Sequence, residues 1–403
     1  MTGQPMDSPH PSPRRYPVGR PRMAHTEERA LQEAAEESPP LRLRLVESKS
    51  EWAALRPGWE RLLRRSRDAA IFGTWEWLSG WMEVFFEPPR PGTRKLHALV
   101  MEDDRGELLA VAPLYRDHPR GFGAGVLRLL ADTHVCSDYL GFPVVVEREV
   151  DFARLLAGYF TRSRASSVLL LSAVRDGSFV QEVFLPALVS TAGFWRLELK
   201  RDICPRVQLG PDFKGAYGRK YEKLKKTGQV TIGHPKTVEE TERDLDVLFR
   251  LHQANWTRRG EPGSFDTESK RTLYRWLARE MVPLDMLRLY SLRVDGVTVA
   301  TNIGFAYRDE WYGMQAGYEE SFRRHSVGAI LQGQILEGLR SEGFQRAHFL
   351  RGDEAYKQEH WNADPFYQRD YCLFRPTAMN VFRYYAPHLA RRIKGRLRSR
   401  PRP

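Results

Sequence analysis

The sequence predicts a mixed α/β protein built from two similar halves. A strand, a short acidic turn and a second strand occur at 96–115, and again at 287–307 around Asp-Gly. Asp-Gly between two strand-like runs is a strong hairpin signal. A Trp-containing helical segment precedes each hairpin, at 75–78 and at 274–277. A shared order of elements at a period of roughly 190 residues indicates a duplicated domain and not a solenoid.

Length and composition set the expected domain boundaries. A chain of 403 residues is too long for one compact core and suits two domains. We expect a disordered N-terminal segment at 1–40, because it holds eight prolines and few large apolar residues. The first domain is expected at 41–205, the second at 206–385, and a basic tail at 386–403. No apolar run reaches about 18 residues, so we predict no transmembrane helix.

The charge of the chain is concentrated at its end. Of the net charge of +12, residues 391–403 supply +7 and residues 1–40 supply −1, which leaves +6 for the rest. A mildly basic body suits an anionic cofactor or substrate and does not require nucleic acid. The tail is expected either to be a solvated end or to contact RNA or anionic lipid.

The three cysteines argue against two kinds of site. Cys136, Cys204 and Cys372 stand far apart, so they make neither a disulfide framework nor a zinc site. That usage suits the reducing cytoplasm, and no metal is expected. A nucleophilic role for Cys136 or Cys204 stays open, but a plain thiol is the favoured interpretation.

The second half continues with elements that can hold a phosphate. After the hairpin come a third strand at 311–317, a basic loop at 319–328 and an amphipathic helix from about Ala329. The next strand, 346–350, runs into a charged loop. Backbone N–H groups at a helix N-terminus hold a diphosphate, and small residues let it approach. The basic helix at 219–226, between the halves, is either a solvated face or a surface for an anionic substrate.

This order resembles the core of the GNAT acetyltransferases. Their coenzyme A loop has the pattern Arg/Gln-x-x-Gly-x-Gly/Ala, and residues 323–328 fit it with Ser326 in place of the first glycine. The resemblance implies two tandem GNAT domains and acetyl-CoA as co-substrate. The cofactor-binding residues that it implies are Gln315, Arg323, Arg324, Ser326, Val327, Gly328 and Ala329, with backbone N–H groups near Gln315 polarising the thioester.

A second match to the same pattern lies in the first half, at Arg120–Gly125. The residues behind it, 126–130, read as a short strand and not as an amphipathic helix. Without a helix N-terminus a phosphate site loses its dipole and most of its donors. We therefore predict that the first domain is degenerate and binds no cofactor.

Residues from about 41 to 375 also resemble the CelD/BcsL-type acetyltransferases, a family linked with cellulose and exopolysaccharide biosynthesis and similar to the Fem-type transferases. The matching stretches are Phe72–Leu78, Ala112–Tyr115, Ser137–Tyr139, Leu251–Trp256, Val294–Gly296 and Leu350–Lys357 with Trp361. The family usually has proline where this chain has Ala355, and its basic helix is usually richer in arginine. Neither departure removes a reactive group.

The resemblance places the chemistry in the charged loop. Asp353 is the first choice for general base and Glu354 the second, because acyl transfer needs a group that takes the acceptor's proton. Tyr356 is predicted to protonate the departing thiolate. Lys357 is predicted to orient Asp353 or to bind an acceptor carboxylate or phosphate. The alternative to these catalytic roles is a purely structural ion pair between Asp353 and Lys357 at the start of a helix.

Four further residues are candidates for substrate contacts. Arg351 belongs to the charged loop, and Tyr139 follows Asp138 at the expected cleft between the halves. His252 and Trp256 lie one helical turn apart and either line the acceptor cleft or form a buried pair.

Three functions are compatible with these residues. The first is an acyl-CoA-dependent N- or O-acetyltransferase acting on a sugar, amino sugar or polysaccharide precursor. The second is a Fem-like transferase that uses aminoacyl-tRNA, with the basic helix and tail touching RNA. The third is a non-catalytic assembly protein of a polysaccharide system. The expected partners are a small-molecule or saccharide acceptor, polysaccharide-synthesis proteins and, through the tail, a membrane surface. Nucleic acid is the less favoured partner.

Overall fold

The structure of the protein is a computed structural model. It describes residues 40–86, 94–118, 125–133, 135, 137–163, 167–352 and 355–389, but not the side chains of 355, 356 and 358. The expected disordered segment at 1–40 lies almost wholly outside the described residues. No described helix has the length and hydropathy needed to cross a membrane.

The first half begins with a strand and a group of helices. Its elements are β1 (Arg42–Val46), α1 (Lys49–Ala53), α2 (Arg56–Arg64), α3 (Trp75–Phe85), β2 (Arg94–Leu96), β3 (Ala98–Glu102), β4 (Leu108–Ala112), β5 (Leu114–Asp117), β6 (Val126–Leu129), α4 (Glu149–Arg162), β7 (Val168–Arg175), α5 (Leu185–Ala192) and β8 (Trp195–Ile203). A strand directly after Gly125 confirms that the first coenzyme A-like pattern precedes no helix. Most of that pattern, 119–124, lies outside the described residues.

The second half repeats this order. Its elements are β9 (Arg206–Gln208), α6 (Gly218–Leu224), β10 (Val230–Gly233), α7 (Val238–Arg258), α8 (Glu268–Met281), β11 (Leu287–Val294), β12 (Val297–Tyr307), β13 (Glu310–Tyr318), α9 (Val327–Ser341), β14 (Arg346–His348), α10 (Ala355–Trp361), β15 (Tyr367–Phe374) and α11 (Ala378–Asn380). The predicted hairpin is confirmed as β11–β12. Asp295 and Gly296 both have positive φ, 50° and 79°, as a two-residue hairpin turn of this kind requires.

The described strands form three sheets. A small sheet has the order β1-β3-β4, and two larger sheets have the orders β2-β5-β6-β7-β15-β8 and β10-β11-β12-β13-β14-β9. Each larger sheet holds one parallel pair joined through a helix, β6–α4–β7 in the first and β13–α9–β14 in the second. The same crossover in both sheets supports the duplication.

The two halves exchange strands at their boundary. Strand β15, from the second half, lies between β7 and β8 in the sheet of the first half. In return β9, which follows β8 directly, pairs with β14 in the second sheet. The predicted boundary at residue 205 falls between β8 and β9, whereas β15, predicted within the second domain, joins the sheet of the first half. The helical segment after Thr377 continues to Leu389, past residue 386, where the basic tail was predicted to begin. The domain bounds stay predictions.

Aromatic side chains fill the contact between the halves. Trp77 meets Phe305 edge-on at 5.2 Å between ring centroids, and Phe72 meets Tyr312 at 5.9 Å. The related helices α3 and α8 pack so closely that a Cβ on Gly80 would lie 2.4 Å from the Trp276 ring. Both halves thus share one continuous core, and residues from 41 onward form one compact unit.

Candidate active site

The strands β13 and β14 separate in the middle of the second sheet. They pair in parallel only over Glu310–Tyr312 and Arg346–His348. Strand β14 then ends, whereas β13 continues to Tyr318 beside β12 alone. The result is a wedge-shaped opening with its apex at the last parallel pair, Tyr312 and His348.

A bulge marks the side of this wedge. The register of β12 and β13 shifts between Ile303 and Gly304, which leaves Met314 as an extra residue in β13. Bulges bend a strand and re-aim its backbone groups, and they occur frequently next to active sites. Gln315 follows the bulge directly, at the position predicted to face the thioester; its role stays a prediction.

Helix α7 covers the far end of the open edge of β13. His252 Nδ1 lies 2.9 Å from the Ala316 carbonyl oxygen, and the Ser264 N–H donates to His252 Nε2 at 3.1 Å. The proton of the ring is therefore on Nδ1, and burial lowers the pKa of His252, so the ring is neutral. These contacts make His252 part of the packing of α7. Its predicted contact with the acceptor, like that of half-buried Trp256 beside it, stays a prediction.

The N-terminus of α9 lies at the end of β13. A 3₁₀ helix, Glu320–His325, leads into it where a loop was expected, and α9 begins at Val327, two residues earlier than predicted. Ser326 has a φ of 57°, the left-handed region that glycine adopts most easily. The backbone at Ser326 thus has the conformation that the glycine of the GNAT pattern favours.

The first turn of α9 supplies free donors for an anion. The N–H groups of Val327, Gly328 and Ala329 have no partner within the helix, as in any first turn, and no side chain caps them. A Cβ on Gly328 would meet only Tyr318, at 3.7 Å. This geometry fits the diphosphate of coenzyme A, with the helix dipole favouring negative charge.

Helix α6 brings a lysine to the same place. Lys220 Nζ donates to Ser326 Oγ at 2.9 Å. The chain before α6 crosses α9 so closely that a Cβ on Gly333 would lie 2.6 Å from the Ala216 carbonyl oxygen. One end of the basic helix between the halves therefore lies at the predicted diphosphate site, which favours its functional interpretation over a merely solvated face.

We expect Lys220→Met to weaken acetyl-CoA binding about tenfold, because a charge-assisted contact is worth roughly 1.5–3 kcal/mol and Lys220 is exposed. Isothermal titration calorimetry measures this directly. Lys223→Met is the matched control, since Lys223 is also exposed on α6 but lies one turn away from Lys220. Equal losses in both variants would show a general charge effect and contradict a specific contact.

The charged loop after β14 is held by buried groups. Lys357 is 4% exposed, and its Nζ donates to the carbonyl oxygens of Phe349 and Gly352, at 3.3 Å each. The backbone N–H of Arg351 donates to Asp138 Oδ2 at 3.1 Å, and its Nε to Oδ1 at 3.2 Å. Lys357 thus fixes the loop from its own side, and Asp138 fixes it from the other half.

The proposed acid and bases lie next to these anchors. Asp353 and Glu354 lie outside the described residues, between Gly352 and the start of α10. Tyr356 lies in the first turn of α10, and its side chain is not described. Arg351 also approaches Asp202, at 3.3 Å, so its described contacts join the halves. The catalytic and substrate roles of these residues stay predictions.

Asp138 is the centre of a buried polar network between the halves. Its side chain is 1% exposed and accepts from Gln368 Nε2 at 2.5 Å, while Gln368 Oε1 accepts from the Tyr139 N–H at 3.0 Å. Burial raises the pKa of Asp138, and the Arg351 guanidinium opposes this rise. A buried acid with these donors joins β15, the charged loop and the first half at one point.

A second set of polar side chains lies at the apex of the wedge. His348 Nδ1 lies 3.2 Å from the Tyr139 hydroxyl, and His348 stacks on Tyr312 at 4.7 Å. Glu310 accepts from the Tyr312 hydroxyl and from Arg346 Nε, both at 2.5 Å. Burial alone would raise the pKa of Glu310, but His348, whose Nε2 lies 3.3 Å from Glu310 Oε2, lowers it together with Tyr312 and Arg346. Burial lowers the pKa of His348.

Sequence reasoning missed Glu310, His348 and Gln368. Tyr139 was predicted to lie at the cleft between the halves, and the structure places its ring against His348 and Tyr312. The only signal in the sequence for Glu310 and His348 is that they lie near strand ends, which is a weak one.

Cys204 and Cys372 are fully buried, and burial raises the pKa of both thiols, that of Cys372 to about 12. A raised pKa favours plain thiols over nucleophiles. Cys136 lies outside the described residues.

A cavity of about 620 Å³, with both apolar and polar side chains in its lining, opens beside the end of α10. Its lining includes Lys214, Glu359, His360 and Asp364. Its volume is that of a site for a small ligand. Within the described residues, no group of acidic, histidine and cysteine side chains could hold a metal ion.

Comparisons with known proteins agree with this geometry. Residues 212–358 match the family model described as an acetyltransferase (GNAT) domain. A crystal structure of FemX is 9% identical and superposes with a TM-score of 0.58, covering 81% of this chain and 97% of that one. A conserved protein of unknown function from Bacteroides thetaiotaomicron VPI-5482 is 10% identical, with a TM-score of 0.53 and coverage of 83% and 100%. No curated protein matches the sequence.

These similarities to solved structures show the fold, and the family match lies on the elements that form the wedge and the N-terminus of α9. Residues 212–358 are therefore similar to a GNAT acetyltransferase domain, within a mixed α/β fold of two related halves, and the protein is an acyltransferase.

Proposed function

We propose that this protein transfers an acetyl group from acetyl-CoA to an amine or hydroxyl of a sugar, an amino sugar or a polysaccharide precursor. The observation that carries the proposal is the wedge between β13 and β14 next to the uncapped N-terminus of α9. The acceptor class rests on the resemblance to the CelD/BcsL-type family, which also suggests cytoplasmic polysaccharide-synthesis proteins as partners. The cavity beside α10 has the volume for such an acceptor.

Different groups at the wedge would bind different parts of acetyl-CoA. The first turn of α9 and Lys220 would hold the diphosphate, and the edge of β13 would lie along the thioester arm. Acetyl-CoA supplies the activated acyl carbon when it is bound. A backbone N–H beside the bulge at Met314 would polarise the thioester carbonyl, since donors fixed in place act without reorganisation.

Two proton movements complete the transfer. Asp353, or Glu354 in second place, takes the proton from the attacking acceptor group. Tyr356 returns a proton to the sulfur as the carbon–sulfur bond breaks. Lys357 and Asp138 act through position, because they hold Phe349, Arg351 and Gly352, which precede Asp353. These contacts fix the chain that leads to the proposed base.

Direct binding and turnover test the proposal. We expect the full chain to bind acetyl-CoA in calorimetry and to acetylate a member of an amino-sugar and nucleotide-sugar panel, detected by mass spectrometry. Asp353→Asn or Glu354→Gln should lower turnover roughly 10²–10⁴-fold and leave acetyl-CoA affinity unchanged.

Glu268→Gln is the control for these variants, because Glu268 is an exposed acid on α8 that the proposal does not use. Full turnover in both Asp353→Asn and Glu354→Gln would remove the proposed base. If the wild-type protein binds neither acetyl-CoA nor a longer acyl-CoA, the donor in our proposal is wrong.

A second donor has one observation in its favour. The fold is similar to that of FemX, and the end of α6 next to the α9 site carries exposed Arg219 and Lys220. A Fem-like transferase would use aminoacyl-tRNA there. Binding of tRNA that weakens steeply with salt, together with no affinity for acetyl-CoA, would favour this second donor over the first.

A further inference from the structure

The end of the described chain exposes an unusual number of apolar side chains. In the helical segment 378–389, Met379 is 63% exposed, Phe382 76%, Tyr385 36% and Leu389 44%. Steps of three and four residues place them along one side of a helix. We call this set, with Trp195 and Leu199, the C-terminal apolar face.

The opposite side of the same segment is already packed. Tyr384 stacks on Phe374 at 5.8 Å, and Val381 lies against the small core cluster that includes Leu197 and Cys372. Thr377 caps the start of the segment by accepting from the Asn380 N–H. The segment is therefore packed against the protein on one side, and its apolar side chains are exposed on the other.

The neighbouring edge strand extends the exposed surface. Trp195 and Leu199 of β8 are 44% and 46% exposed, and Trp195 lies 5.5 Å from the Tyr385 ring. Strand β8, which holds both residues, is the last strand of its sheet. Through Trp195 this edge extends the apolar surface next to the helical segment.

The sequence after the segment supplies a large positive charge. Residues 391–402 contain seven arginines and lysines and no acidic residue. An apolar helical side joined to a basic stretch matches a surface with an apolar interior and anionic head groups. We propose that the C-terminal apolar face and the basic stretch dock the protein on an anionic lipid surface.

Two other occupants fit the chemistry less well. A nucleic acid would use the basic residues but would leave Met379, Phe382 and Leu389 in water. A second copy of the chain would cover the apolar side chains but would bring two strongly basic stretches together. Only an anionic lipid surface takes up both features at once.

Co-sedimentation with lipid vesicles tests the proposal on the full chain. We expect binding to vesicles that contain phosphatidylglycerol, little binding to vesicles of phosphatidylcholine alone, and release at high salt as the Debye length falls to about 3 Å. The double variant Met379→Glu and Phe382→Glu should bind at least about tenfold more weakly, since two apolar side chains leave the lipid. Removal of residues 391–403 should weaken binding and reduce its salt dependence.

Matched controls separate docking from folding. Val150→Glu introduces the same charge at a valine that is 64% exposed on α4, away from the face, and should bind vesicles as the wild type does. The thermal midpoint of the double variant should equal that of the wild type. Wild-type affinity in the double variant, or no wild-type binding to phosphatidylglycerol vesicles at low salt, overturns the proposal. A dimer in light scattering that the double variant abolishes would identify a second copy as the occupant and overturn it too.

Discussion

Gly328→Trp is expected to abolish acetyl-CoA binding without unfolding the protein. The residue lies in the first turn of α9, where a Cβ would meet only Tyr318 at 3.7 Å. Helical side chains lean back toward the N-terminus, so the indole would cover the N–H groups of Val327 and Gly328. Loss of two charge-assisted hydrogen bonds corresponds to an increase in Kd of at least about 100-fold. Calorimetry with acetyl-CoA measures the change.

The same helix offers a matched control. Gly338 lies ten residues further along α9, and a Cβ there would meet nothing within 4 Å. Gly338→Trp therefore makes the same substitution in the same helix away from its N-terminus, and acetyl-CoA affinity should not change. If Gly328→Trp binds acetyl-CoA as tightly as the wild type does, the N-terminus of α9 is not the diphosphate site. If both variants lose affinity to the same extent, the substitutions disturb the helix itself.

Asp138→Ala should have the largest effect on stability. Asp138 is 1% exposed and holds Arg351 and Gln368 from two separate parts of the chain. Removing the Asp138 carboxylate leaves the buried Gln368 amide and the Arg351 backbone N–H without their acceptor, and each unsatisfied buried donor costs about 1–3 kcal/mol. Urea unfolding at neutral pH measures the free energy of unfolding. The loop that carries Asp353 also loses an anchor, so turnover should fall in conditions where the variant is still folded.

An exposed ion pair gives the control for this variant. Glu83 pairs with Lys49 at 3.0 Å, and both side chains are about half exposed, at 55% and 44%. Glu83→Ala should change the free energy of unfolding by less than about 1 kcal/mol. A comparable small change in Asp138→Ala would contradict the role of Asp138 as the buried link between the halves. Asp138→Asn keeps one acceptor oxygen and should fall between the two.

The strongest local signals in the sequence predicted the order of elements correctly. The Asp295–Gly296 turn, the amphipathic face of α9 and the strand after Gly125 all depend on neighbouring residues. The start of α9 was misplaced by two residues, because Ser326 adopts a left-handed conformation that is rare for serine and was not expected there. The 3₁₀ helix at Glu320–His325 was missed for a similar reason, since nothing in its composition distinguishes it from a basic loop.

The exchange of β9 and β15 was not predictable from one sequence. Neither strand was predicted, and their partners are decided by competition among strand edges far away along the chain. The network around Asp138 has the same origin: its contacts with Arg351 and Gln368 span 213 and 230 residues. Pairings over such separations leave no periodicity that a single sequence could reveal.

The sequence by itself determined the duplicated mixed α/β order, the phosphate-binding pattern at the start of α9 and the positive charge at the chain's end. These follow from local periodicity, turn chemistry and composition, which act within a few residues. Only the tertiary structure decided that β13 and β14 separate beside that helix, that Lys220 reaches it, and that Asp138 anchors the charged loop. Those features depend on which surfaces become buried together, and burial is a property of the whole folded chain.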